Sequence, residues 1–142
     1  MKIVSCDGGS FIEPPNYKFH NSYFSVVDGN GELIHFEKDI GDFYSGVSEY
    51  KAIEWVIKNI PERPLTILND CTTAIAWAKK GSSRKSKFDI PPLPLQGVTL
   101  KYKKGTDADM WNAKNHSPKK TKRFYIKRYY QSHKEPIDKK SF

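Results

Sequence analysis

Cysteine is scarce in this sequence, and long apolar runs are missing from it altogether. The two cysteines, Cys6 and Cys71, are too few for a disulfide framework and form no CxxC or Cys/His spacing that would hold zinc. Both are expected to be reduced, partly buried thiols, since free cysteine usually packs as a small apolar group. No apolar stretch approaches the ~20 residues that a bilayer crossing needs. The amino terminus runs straight into a strand pattern and lacks a signal-peptide core with a small-residue cleavage site. A soluble, intracellular (cytoplasmic) protein with no membrane partner is expected.

What is present is the material of one ordinary domain. The chain has 142 residues, with 37% hydrophobic and 13% aromatic, enough for a packed interior. Its net charge of +8 is unevenly placed. Residues 1–113 hold 14 basic and 14 acidic side chains, whereas 114–142 hold 10 basic and 2 acidic. The basic stretch Lys119, Lys120, Lys122, Arg123, Lys127 and Arg128 is interleaved with Phe124, Tyr125, Tyr129 and Tyr130. Such a tail suits phosphate contacts and base stacking on a polyanion, the plainer alternative being a solvated charge run kept for solubility.

Patterning along the chain predicts alternating strands and helices. Ile3 to Cys6 is a short buried strand that ends in a turn at Asp7-Gly8-Gly9-Ser10, and Phe11 to Asn21, with Pro14-Pro15, is irregular. Ser22 to Val27 and Leu33 to Glu37 flank Asp28-Gly29-Asn30-Gly31, a β-hairpin signal. In Ser48 to Ile60 the apolar residues Ala52, Ile53, Val56, Ile57 and Ile60 recur at helical spacing, with Ser45 or Ser48 as cap and Pro61 as stop. Leu65 to Asp70 reads as a strand, and Cys71 to Lys80 as a short helix closed by Gly81. Ser82 to Gln96 reads as a loop, Val98 to Lys103 as the last strand, and Asp107 to Lys114 as a final helix capped by Thr106 or Asp107. Trp77 and Trp111 are expected in the core. This order predicts a mixed α/β sheet in which the helix from Ser48 returns the chain parallel to the first strand.

Acidic residues fall at the ends of these elements: Asp7, Glu49, Asp70, and the pair Asp107 and Asp109. Any one of them alone can serve as a turn former or a favourable charge in a first helical turn. If the two parallel strands are neighbours, however, Asp7 and Asp70 meet at the carboxyl ends, where open α/β sheets place their sites. Carboxylates brought that close repel unless a hard cation such as magnesium sits between them. Pairs of such ions serve in-line phosphodiester displacement.

Asp7-Gly8-Gly9-Ser10, Ser48-Glu49-Tyr50-Lys51-Ala52 at a helix start, and Leu68-Asn69-Asp70-Cys71 at a strand end resemble, in that order, the first three signature segments of the ribonuclease H family. The resemblance implies a ribonuclease H-like α/β fold over residues 1–114, a mixed five-stranded sheet with flanking helices, followed by the tail at 115–142. It further implies a metal-dependent endonuclease that cleaves the RNA strand of RNA/DNA hybrids with two magnesium ions, or manganese. Carried over position by position, Asp7, Glu49 and Asp70 become catalytic metal ligands. Ala108-Asp109 matches the last acid, with Asp107 the alternative. Gly8, Gly9 and Ser10 become the backbone that approaches the minor groove and its 2′-hydroxyls, and Ser48 and Tyr50 support the glutamate.

Departures from the family pattern are also visible. Asn69 and Cys71 replace a threonine and a serine that commonly bracket the third acid, which should alter hydrogen bonding around the ligands more than metal charge. The stretch from Asp70 to Asp109 is shorter than in most cellular members, and Ser82 to Gln96 has no helix pattern. The basic handle of some bacterial members is absent, and no histidine lies between Val98 and Asp107; His116 reads as a lone surface histidine. Two alternatives therefore stand beside the nuclease: a nucleic-acid-binding module of this fold without turnover, and a structure-specific DNA nuclease of the same superfamily. A monomer is favoured over an oligomer.

Overall fold

A computed structural model describes residues 1–13, 18–41, 45–82 and 90–115, with backbone alone for 11–13, 18–20 and 45. The basic aromatic tail, His116 and part of the loop after Ser82 lie outside the described residues. Eight elements follow one another: β1 (Lys2–Glu13), β2 (Lys18–Asp28), β3 (Leu33–Lys38), α1 (Ser45–Asn59), β4 (Leu65–Asn69), α2 (Thr72–Lys80), β5 (Val98–Tyr102) and α3 (Asp107–Asn115). The strands form one five-stranded sheet in the order β3-β2-β1-β4-β5. β1 is antiparallel to β2 and parallel to β4, and β4 is parallel to β5.

The hairpin between β2 and β3 follows from Asp28, whose Oδ1 accepts hydrogen bonds from the backbone N–H of Asn30 (2.8 Å) and Glu32 (3.0 Å). Gly31 supplies the left-handed residue, at φ 83°. α1 buries the predicted stripe of Ala52, Ile53, Val56 and Ile57 against Val4, Cys6, Val26, Leu65 and Ile67 of the sheet, and α2 adds Ala74, Ile75 and Ala78. Trp77 packs against this core from its rim, whereas Trp111 is half-buried, its ring 5.4 Å from that of Phe36. Both cysteines are buried, and no disulfide joins them.

The opposite sheet face belongs to α3. Because strand side chains alternate, Ser5, Asp7 and Ser25 point away from α1. Ser5 Oγ accepts from Ala108 N–H at 3.0 Å, and Ser25 Oγ donates to Ala108 C=O at 3.3 Å. Small hydroxyl side chains thus seat the start of α3 directly on β1 and β2. Thr106 caps the helix, its Oγ1 accepting from Asp109 N–H at 3.1 Å.

Two expectations need correction. Asp7-Gly8-Gly9-Ser10 is not a turn: β1 runs through it, with its irregularity between Gly9 and Phe11. The glycines are there for packing, since a Cβ on Gly8 would lie 2.4 Å from Ser48 C and 2.5 Å from Glu49 N, and one on Gly9 would lie 2.7 Å from Tyr23 Oη. Likewise Phe11 to Asn21 is not irregular throughout, because residues 11–13 and 18–20 pair as strand on either side of the prolines.

Candidate metal centre

β1 and β4 run side by side from Lys2 with Leu65 to Ser5 with Leu68, and then part. Asn69 holds the fork. Its Nδ2 donates to Cys6 C=O at 3.1 Å, while its Oδ1 accepts from Cys71 N–H at 2.8 Å, turning the chain sharply after β4. Cys71 caps α2, its Sγ accepting from Ala74 N–H at 3.4 Å. Asp70 is fixed between these two anchors. Asp7 lies across the fork, in the interior of β1.

α3 closes the third side. Asp7, Asp70 and Asp109 each present a carboxylate oxygen such that all three atoms lie within 4.8 Å of one another. Asp7 and Asp70 are buried, and Asp109 is half-buried. Asp109, not Asp107, joins this group among the described residues. Like charges this close in a site poor in water are costly, which makes the cluster a place for a cation with hard oxygen ligands.

Glu49 approaches from the start of α1. It is 1% exposed, and its Oε1 accepts from Gly8 N–H at a long 3.5 Å. Its Oε2 is buried and makes no hydrogen bond among the described residues. Burial, then the charge and hydrogen bond of Asp7, then Cys71, raise its carboxyl well above the ordinary 4.5. Glu49 thus stands against Asp7 and outside the three-aspartate group. Burial also pushes the Cys6 thiol up to about 12, opposed by a hydrogen bond from Asn69 and aided by the Asp7 charge.

The remaining predicted residues are placed as supports. Gly8, Gly9 and Ser10 are all buried. Ser10 Oγ lies 2.7 Å from Ser22 Oγ and 3.3 Å from Ser48 Oγ, joining β1, β2 and α1. Tyr50 Oη donates to Pro91 C=O at 2.6 Å, pinning the segment after residue 90 to α1. Lys119, Lys120, Lys122, Arg123, Lys127 and Arg128 lie outside the described residues. One site residue escaped the sequence reading: Asn112, on α3, donates from Nδ2 to Asp7 Oδ2 at 2.9 Å. Its spacing of three from Asp109 on a helix was the available signal.

No family profile matches the chain, and no curated protein does. Solved structures do resemble it. They include the PFV RNase H domain (18% identity, 73% of this chain and 79% of that one, TM-score 0.49). The RNase H1 of the halophilic archaeon Halobacterium salinarum NRC-1 is similar at 15% identity over 81% of this chain and 98% of that one, TM-score 0.47. LC11-RNase H1 in complex with RNA/DNA hybrid is similar at 13% identity over 78% and 92%, TM-score 0.45. The likeness concerns chain path. In sheet order, strand directions and helix placement, the fold is a mixed five-stranded α/β sheet with three helices, as the sequence pattern predicts.

Proposed function

We propose that this protein is a metal-dependent endonuclease that hydrolyses the RNA strand of RNA/DNA hybrids, using two magnesium ions for which manganese can substitute. The observation that carries this reading is the convergence of Asp7, Asp70 and Asp109 oxygens within 4.8 Å, from β1, the end of β4 and α3. Three elements distant in sequence are spent on a repulsive arrangement, and the donors are all hard oxygens. The buried Oε2 of Glu49 beside them, which makes no hydrogen bond among the described residues, supports the same ligand class.

Asp7, Asp70, Asp109 and Glu49 are the residues that would hold the ions. When bound, such ions supply charge neutralisation of the scissile phosphate and of the attacking and leaving oxygens. The chain's own part is positioning. Asn69 and the α2 cap set Asp70, Thr106 sets the turn of α3 that carries Asp109, and Gly8 lets α1 approach closely enough for Glu49 to reach Asp7. The basic residues from Lys119 to Arg128 are proposed to follow the substrate backbone by charge, with the neighbouring aromatics stacking, whereas Gly8, Gly9 and Ser10, buried against α1 and β2, support the site rather than touch substrate.

The test is one panel of labelled substrates, comprising RNA/DNA hybrid, duplex RNA, duplex DNA and branched DNA, with magnesium or manganese and with chelator. Cleavage confined to the RNA strand of the hybrid and abolished by chelator is expected. Asp70→Asn should lower turnover by at least about a hundredfold while fold and hybrid binding persist. Full turnover in that variant discards the assignment. Cutting of branched DNA alone redirects the substrate, and salt-sensitive binding without cleavage in any lane makes the chain a binding module.

A further inference from the structure

Asn112 is 4% exposed and commits its amide donors to a single residue: Nδ2 to Asp7 Oδ2 at 2.9 Å and to the Asp7 main-chain oxygen at 3.2 Å. Its own Oδ1 is buried and makes no hydrogen bond among the described residues. A buried amide with an unbonded oxygen costs free energy that a leucine or alanine at the same place on α3 avoids. Packing therefore does not account for it. What an amide offers beside Asp7 is a donor without positive charge. A lysine or arginine would hold the carboxylate as well but cancel the charge that draws a cation. Asparagine fixes one oxygen of Asp7 and leaves the net charge of the cluster intact.

We propose that Asn112 is a positioning residue of the metal centre: its Nδ2 locks the Asp7 carboxylate in the orientation that meets Asp70 and Asp109, and its Oδ1 offers a hard oxygen to the hydration shell of the divalent cation. The proposal rests on the metal-dependent reading above. It assigns Asp109 and Asn112, three residues apart on one face of α3, to the same ion, the first by charge and the second by geometry. Groups that hold metal ligands in place commonly contribute ten- to a hundredfold in affinity.

The test uses the full chain, manganese alone and no nucleic acid. Calorimetric titration of the unaltered protein is compared with Asn112→Leu and Asn112→Ala, each first shown to be folded by circular dichroism. Manganese affinity should fall by about tenfold or more in both. Unchanged affinity in folded variants overturns the role of Asn112 and leaves the metal site standing. Absence of manganese binding by the unaltered protein removes both. A second measurement needs no substitution: in the isotope-labelled protein, magnesium should shift the Asn112 side-chain amide resonances more than those of Asn59 and Asn115, whose amides donate to the Trp55 and Trp111 carbonyls. Equal shifts, or none, overturn the proposal even if both variants unfold.

Discussion

Glu49 carries a carboxyl group where water barely reaches it, and a pH-dependent stability follows. Burial first, then Asp7, raise its pKa on folding above the ordinary 4.5. A group raised on folding favours the folded state while it is protonated, so its contribution is fully present below pH 4.5 and lost as pH climbs through the raised value. The metal-free protein should therefore lose thermal stability as pH rises through this range. Glu49→Gln should lose less, and magnesium should restore the unaltered protein more than the variant. Melting curves at several pH values, in chelator and in magnesium, check this; a Glu49→Gln curve parallel to that of the unaltered protein speaks against a raised carboxyl. The acids were legible in the sequence because charged residues bordering short apolar runs stand out, although Asp7 lies inside β1 and Glu49 in the second turn of α1. Asn112 was not, because its spacing of three from Asp109 is shared by many solvent-facing asparagines; only the seat of α3 on β1 brings it to Asp7.

The fork between β1 and β4 is the element on which the site depends. Asn69 is fully buried and makes both of its fork hydrogen bonds with backbone, to Cys6 C=O and from Cys71 N–H. Asn69→Ala leaves both backbone groups buried without those partners, at about 1–3 kcal/mol each. Denaturant unfolding should show a loss of that order, and metal affinity should fall as well, since Asp70 is the next residue. A variant of unchanged stability would mean that the fork is held elsewhere. Helical periodicity revealed α1, turn chemistry revealed the hairpin, and a short β-rich run followed by a capped helix revealed β4 and α2. β1 was read too short because Gly8-Gly9 carries a turn signature. Here those glycines answer a tertiary demand instead, the direct packing of the α1 start on the strand, which no local pattern encodes. Pro14-Pro15 misled in the same way, suggesting irregularity across a segment whose flanks pair as strand.

Across the whole molecule the charge divides sharply: residues 1–113 are balanced, and the excess lies in 114–142. If the tail is the part that follows a nucleic-acid backbone, replacing Lys119, Lys120, Lys122, Arg123, Lys127 and Arg128 by glutamine should flatten the dependence of log affinity on log salt. The slope should change by about 0.9 for each duplex phosphate that the tail no longer neutralises. An unaltered slope would place phosphate binding on the body of the fold. Binding and chemistry would then be separable, one by the tail and one by the carboxylates. Anomalous diffraction from crystals grown with manganese tests the centre most directly. The account predicts a peak within coordination distance of Asp7, Asp70 and Asp109 oxygens; crystals saturated with manganese that show no peak there, or show these three carboxylates turned away from one another, would contradict it.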